Sequence, residues 1–595
     1  MDSNPVGLHY LDGTRDIVLE EVLRTEGIPY ERLSVADALE NCCSLVLGEV
    51  ELSGPELDLV HGFVDEGGTL IALRPGDSLC ELFGLELARD VQRDGYLAFE
   101  TAWYSGRLQV LGTSRGYGGG SDICHLDPSG KGGIIETECG RGKLVIFAFD
   151  LAGTFLSIQQ PDSKIGRAYD TSRVDPGLAG IPQLEVMRRI IASLILDGIP
   201  HPVPRKWYFP NCHLSAVILS GDQDGSDSGR MEVVHELVRN LKAPYTLFIT
   251  PRNQPMSRDQ LSALRRGGME IALHANFTGG PPFSREEFRS QMAKAEEDAG
   301  VKMRGGRNHA LRWGTVTMMP LWMEEAGLEY DSDLGLMLPE EGTQGAGYWV
   351  GGGLPYHFIH PETYRRINVL EHPLTAGDDV LFWDGRPLKV DIDDPGWLPS
   401  HLHTESDGGQ SGDLPRKSPP RTKTYYPGFR LTEEGAFDLA RRLMEESMDG
   451  YHTVQCYNCH PLYLSSRATG EAYHHSDAFF RMTVEYARER GVLLLNHGEW
   501  NDFWRRREAV GYTNLRWDPP DNTLHFDIEN DGSGDVTHLL PMVWEDKSLV
   551  IQIDGNESPH CEFEFLGRKY TMFTVPAGSD LVRVDARYRR AHAHD

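Results

Sequence analysis

The sequence predicts an α/β protein of several domains, and three observations carry that expectation. Apolar, β-branched runs alternate with amphipathic helical patterns over residues 1–200. The alternation resumes over residues 201–508, now with acidic residues and histidines recurring where the apolar runs end. Over residues 509–595 short strand-like runs separated by Asp-Gly turns take over. At 595 residues the chain exceeds what one hydrophobic core organises. The expected architecture is an open parallel α/β sheet, then a distorted β/α barrel, then a small β-sandwich.

Composition bounds the partners. The 58 Lys and Arg against 89 Asp and Glu give a net charge of −31, which argues against nucleic acid or an anionic membrane, since both need clustered positive charge. The segment Met1-Asp-Ser-Asn-Pro-Val-Gly-Leu has no basic, then apolar, signal pattern, and no run reaches membrane-spanning length. The nine cysteines are scattered and odd in number, as suits reduced thiols. A cytoplasmic location is therefore expected; nothing in the sequence sets the oligomeric state.

In the first region the strands read as Val6 to Leu11, Cys43 to Leu47, Gly67 to Arg74 and Gly142 to Asp150. Helices are expected over Arg15 to Leu23 and over Leu57 to Val64, the latter after the start signal Ser53-Gly-Pro-Glu. Leu52 to Pro75 and Gly140 to Leu151 resemble the class I glutamine amidotransferase-like domain. That family carries a nucleophilic Cys on a tight turn after a strand. Arg74-Pro75-Gly76 occupies that place here, and Cys80 is not in the required setting, so the resemblance implies a non-catalytic accessory domain.

The second region opens on Ala216-Val-Ile-Leu-Ser-Gly-Asp-Gln-Asp-Gly225, a short apolar strand ending in acids. If the strand runs on through Asp222 and Asp224, its period of two puts both carboxylates on one side. Two acids there make a cation site, or a base beside one; an Asx-turn closing the strand is the plainer alternative. Strands follow at Tyr245 to Thr250, Met269 to His274, Tyr451 to Pro461 and Val492 to His497, with helices between them. A glycine- and proline-rich insertion covers about 336–430, and within it Ser400 to Thr424 is nearly free of apolar residues, as in a loop or lid.

Polar groups thus recur at strand ends: Asp222 and Asp224, His274, Arg307-Asn-His309, Asp331-Ser-Asp333 and His460. This order resembles the polysaccharide deacetylase superfamily of carbohydrate esterases, over roughly residues 215–505. The resemblance implies a catalytic Asp base, an Asp–His metal site and a late histidine acid. Two departures stand out. The adjacent acidic pair is split by Gln223, so that Asp224 aligns as the metal ligand and Asp222 serves as base from one residue further back. The second metal histidine is Thr278, a poor zinc ligand, and His309 is its natural replacement. Asp224, His274 and His309 would then hold a divalent transition metal, zinc first, with open positions for water and substrate.

The reaction implied is metal-assisted removal of an acyl group, N-acetyl foremost, from a sugar or glycan precursor. Asp222 takes the proton of the attacking water, and His460, with a pKa near the working pH, protonates the leaving group. Arg307 and Asp331 would orient the base and the acid. Trp349, Tyr356 and Trp383 are aromatic candidates for stacking on sugar, with core packing as the alternative, and Glu499 either lines the cleft or packs at its rim. Cys456-Tyr-Asn-Cys459-His460 has haem-attachment spacing, yet a buried strand is no place for that chemistry. Two other readings stand beside the deacetylase: a non-catalytic glycan-binding protein with a degraded site, and a hydrolase of a non-sugar amide on the same scaffold.

Overall fold

The structure is a computed structural model. It describes residues 5–100, 104–160, 173–252, 254–277, 282–313, 317–335, 345–382, 388–391, 422–425, 428–470, 474–530, 532–557, 560–575 and 577–590. Thr278, Trp383 and residues 400–421 of the polar stretch lie outside these. The fold is mixed α/β.

The first sheet has nine strands. Glu31–Arg32, Val6–His9, Ser44–Leu47, Thr69–Leu73 and Gly142–Phe147 run parallel in that spatial order. Ser44–Leu47 and Thr69–Leu73 are buried at every position, which is the sequence signature of strands covered on both faces. The expectation of a wholly parallel sheet needs correcting. Gly132–Cys139, Ser121–Asp127, Glu86–Glu100 and Ser105–Gly118 extend it in antiparallel fashion. These strands alternate, as where Leu108 and Val110 face in while Arg107 faces out, so they lack the continuous apolar run that marks the parallel set.

After Thr69–Leu73 the backbone turns through Arg74, at a left-handed φ of 38°, into the helix Asp77–Leu82. Arg74 donates to both Glu49 oxygens at 2.8 and 2.5 Å and to the Thr113 carbonyl at 3.0 Å. Arg15 beside it pairs with Asp150 at 2.7 Å. Cys80 is buried in the helix, and burial pushes its thiol up to about 11.

The second sheet has ten strands. Its centre is Ala216–Asp222, buried throughout and paired in parallel with Tyr245–Ile249, Val454–Asn458 and Leu493–Leu495. From Tyr245–Ile249 the sheet continues through Met269–Leu273, Gly305–Gly306, Tyr330–Asp331 and Arg366–Glu371, all parallel. Tyr356–Ile359 closes one edge antiparallel and Ala376–Gly377 the other in parallel, and among the described residues no ladder joins those edges into a ring. Gly221 shows how closely the strands approach: a Cβ there would lie 1.9 Å from the Tyr245 hydroxyl and 2.1 Å from the Cys459 carbonyl. The last strand is shorter than expected. It ends at Leu495, Asn496 caps the next helix, and His497 already belongs to that helix, His497–Ala509.

Beyond residue 510 all ladders are antiparallel. They form a six-stranded sheet and a four-stranded sheet, and the latter recruits Arg205–Lys206 from far upstream. Val582, Val584, Ala586 and Tyr588 are buried on alternate positions of Leu581–Arg590. Buried apolar side chains fall into two clusters, one over Val6 to Val203 with Trp349, the other running from Trp207 to Tyr588. Polar ties join the two: Glu26 accepts from Arg205 at 2.8 Å and Tyr208 at 2.6 Å, and Arg507 donates to the Thr25 carbonyl at 2.7 Å. Among the described residues no helix is long and apolar enough to cross a membrane.

Candidate active site

The strand Ala216–Asp222 ends at its first acid, and Asp224 follows in a turn at φ 46°. The two carboxylates therefore converge through that turn, which corrects the expectation of a strand running through both. Both flank the same two histidines. His274 Nδ1 lies 3.8 Å from Asp222 and its Nε2 3.1 Å from Asp224. His460 Nε2 lies 3.8 Å from Asp222 and 3.6 Å from Asp224.

His274 follows the buried strand Met269–Leu273, and its Nδ1 is 2.8 Å from the Arg307 carbonyl. A carbonyl only accepts, so Nδ1 carries the proton and Nε2 faces Asp224. Without a second proton or a cation between them, that nitrogen lone pair would oppose a carboxylate. His309 Nε2 is 3.5 Å from the same Asp224 oxygen, with its ring nearly perpendicular to that of His274 at 81°. Two ligands bound to one zinc at roughly 2.0–2.1 Å with tetrahedral angles stand roughly 3.3 Å apart. The two separations from Asp224, 3.1 and 3.5 Å, bracket that spacing, so each histidine paired with Asp224 offers ligand atoms suited to a divalent transition ion. The stretch before His309 is held from below. The Asn308 amide donates to Asp333 at 2.7 Å, the Asn308 side chain donates to the other Asp333 oxygen, and His309 N donates to the Ala275 carbonyl at 2.9 Å.

Arg307 is fully buried and donates to Asp222 at 3.1 Å, to the Ser332 carbonyl at 3.0 Å and to the Ser220 and Ser332 hydroxyls at 3.1 and 3.0 Å. Asn458 donates to the other Asp222 oxygen at 2.8 Å. Burial works against a charged Asp222, but His274, Arg307 and His460 outweigh it and hold the carboxyl below its usual range. Burial likewise opposes the charge of Asp224, and a proton on His274 Nε2, with His460 and His309 nearby, lowers its pKa. Each carboxylate oxygen keeps a second lone pair, so Asp222 remains able to accept a proton.

His460 follows the strand Val454–Asn458, and its Nδ1 lies 2.6 Å from Asp378. The second Asp378 oxygen accepts from the His460 amide at 2.9 Å and from the Ser476 hydroxyl at 2.8 Å. Burial disfavours the imidazolium, yet Asp378, Asp379 and Asp224 raise the His460 pKa well above its ordinary value. This departs from the expected near-neutral pKa. Asp378, Asp379 and His460 form a second candidate cluster, whose ligand atoms all lie within 4.8 Å of one another. We favour the first, because Asp224 and His309 line an open cavity, whereas Asp378 already holds His460 and Ser476 in place.

Several expected contributors lie elsewhere. Asp331 is buried beside Asp333 and Glu371, where desolvation and those like charges push its pKa well above the usual range. No hydrogen bond links it to His460 or Asp222 among the described residues; Asp378 and Asn458 hold those positions. Trp349 is buried within the first apolar cluster, which leaves no ring face for a sugar. Tyr356 is also buried, donating to the Gln159 carbonyl at 2.7 Å. Glu499 is exposed and completes the capping box of His497–Ala509, accepting from the Asn496 amide at 3.0 Å. His497 sits beneath the site, its ring nearly parallel to those of Tyr330 and His372 at 5.5 and 5.3 Å, with those two 5.0 Å apart. Its Nε2 accepts from Arg307 at 3.3 Å, so its Nδ1–H points to His372 Nδ1 at 3.0 Å, and burial lowers the pKa of both rings. Cys456 and Cys459 are buried in the core.

No family model matches the sequence, and no curated protein matches it. Solved structures match part of the chain at low identity. A provisionally named polysaccharide deacetylase from Mycobacterium smegmatis is 16% identical, with 50% of this chain and 93% of that one covered at a TM-score of 0.33. Puue allantoinase is 13% identical, covering 50% of this chain and 92% of its own at 0.32. A second provisionally named polysaccharide deacetylase, from Pseudomonas aeruginosa PAO1, is 14% identical, covering 49% and 92% at 0.31.

Proposed function

We propose that the protein is a metal-dependent hydrolase that removes an acyl group, N-acetyl foremost, from a sugar or glycan precursor. The observation that carries this reading is the His274 geometry. The Arg307 carbonyl takes the Nδ1 proton, and the Nε2 atoms of His274 and His309 both face one Asp224 oxygen, at 3.1 and 3.5 Å. Asp224, His274 and His309 would hold that ion, zinc by donor type. When bound, it supplies Lewis acidity toward the acyl carbonyl and the attacking water.

The rest is the work of the chain's own groups. Asp222, held ionised by Arg307, accepts the proton of the water as it adds to the acyl carbon. His460, already an imidazolium with Asp378 at its back, gives its Nε2 proton to the leaving nitrogen. Arg307 and Asn458 keep Asp222 in place, and Asp378 keeps the Nε2 of His460 turned to the site. On this reading the first region is non-catalytic, because its strand-to-helix turn presents Arg74 where a nucleophile would stand.

The test is acetate release from N-acetylglucosamine oligomers. Wild type is expected to release acetate in a chelator-sensitive way and His460→Ala to lose that release. Equal release by both proteins would remove His460 from the reaction and sink this mechanism.

A further inference from the structure

Gln223 stands where the resemblance expects a base, yet its side chain is spent on neighbouring loops. Its Oε1 accepts from the Thr250 amide at 3.2 Å and from Gln254 Nε2 at 2.8 Å, while its Nε2 donates to Gln254 Oε1 at 3.0 Å. Its backbone carbonyl accepts from the Ser226 amide at 2.9 Å. One buried residue thus ties the loop after Ala216–Asp222 to the loop after Tyr245–Ile249.

Those two loops wall a cavity of about 460 Å³ that opens onto Asp224 and His309. Ser226 and Thr250 line it at 1% and 4% exposure, and neither hydroxyl oxygen has a hydrogen-bond partner among the described residues. A buried hydroxyl left unpaired is costly, and an apolar side chain of the same size would avoid the cost. Two such hydroxyls in one wall, next to the candidate cation ligands, are accounted for if the bound substrate completes their hydrogen bonds. Thr250 and Ser226 each donate and accept, so they match substrate hydroxyl or amide groups.

We propose that Ser226 and Thr250 are substrate-positioning residues, placed by the Gln223–Gln254 amide pair, and that they select a substrate presenting hydroxyl or amide groups at this wall, as an N-acylated sugar does. The proposal rests on the hydrolase reading for its chemistry, but its test separates the two. Ser226→Ala and Thr250→Val are expected to raise KM for N-acetylglucosamine oligomers about threefold to tenfold each with kcat little changed, the loss of one hydrogen bond. Thr250→Ser is expected to restore KM.

The ligand-free variants are expected to melt no lower than wild type, because an unpaired buried hydroxyl has gone; a merely structural role would lower the melting temperature. Equilibrium dialysis of the N-acetylglucosamine trimer on the His460→Ala background gives the binding arm. If wild type releases no acetate but Ser226→Ala weakens trimer binding, the hydrolase reading fails and the positioning wall stands. Unchanged KM and unchanged trimer binding in both variants, or a wild type that neither binds nor hydrolyses the oligomers, overturns the proposal.

Discussion

The two mixed sheets both gather charged side chains at the carboxyl ends of their parallel strands, and they use them in opposite ways. In the first sheet, Arg74 is forked onto Glu49 and Arg15 is paired with Asp150. The charges neutralise one another, and the left-handed turn at Arg74 presents a cation that is already occupied. In the second sheet, Asp222 and Asp224 sit among three histidines, with Arg307 fully buried as the support. Its groups are pulled from their ordinary pKa values in both directions, with Asp222 lowered and His460 raised. The same place in an α/β sheet becomes a plug when its charges are matched in pairs. It becomes a candidate reaction centre when histidines and acids share one space with room for a ligand.

Mutations that exchange those conditions should break the comparison. The largest effect is expected from His460→Ala, which removes the acid: kcat for acetate release should fall about 10²- to 10⁴-fold with metal content intact. Next comes Arg307→Met. It leaves Asp222 buried without its cation, so urea denaturation should show a loss of about 3–5 kcal/mol. A stability within error of wild type would mean that Asp222 does not depend on Arg307.

Asp378→Asn should act more mildly, lowering kcat roughly tenfold. The sign of its pH effect follows from the charge. Asp378 stabilises the His460 imidazolium, so its loss lowers that pKa; the acid works only below its pKa, so the alkaline limb of kcat/KM should move to lower pH. A limb that stays put would take Asp378 out of contact with the titrating group. The smallest effect is expected from Arg74→Met, about 1–2 kcal/mol in stability from a partly exposed pair. Its kcat should stay within about twofold of wild type, as assayed by acetate release; a larger loss would bring the first sheet into the chemistry.

How legible the site was depended on how local its signals are. Asp222, Asp224, His274 and His460 each stand at or just past the end of a strand-like run, and it is their order along the chain that singles them out. Asp378 did not, because the strand before it is only Ala376–Gly377, too short for any periodicity, and its contact with His460 spans 82 residues. Asn458 was hidden inside a strand that reads as core. The stacked His497 and His372 lie 125 residues apart and are joined only by the folded sheet. Gln223 read as a lost base, since its bonds to Thr250 and Gln254 exist only once two loops meet. The fold followed the same rule. Continuous apolar runs marked the parallel strands, whereas the half-exposed hairpin of Glu86–Glu100 and Ser105–Gly118 carried too mixed a pattern.

The central claim is that Asp224, His274 and His309 form a cation site. Elemental analysis of purified wild type, His274→Ala and Asp379→Asn tests it most directly. The expected result is about one transition-metal ion per chain in wild type and in Asp379→Asn, and none in His274→Ala. A wild type that holds no metal and takes up no added zinc would contradict the claim, as would metal kept by His274→Ala and lost from Asp379→Asn.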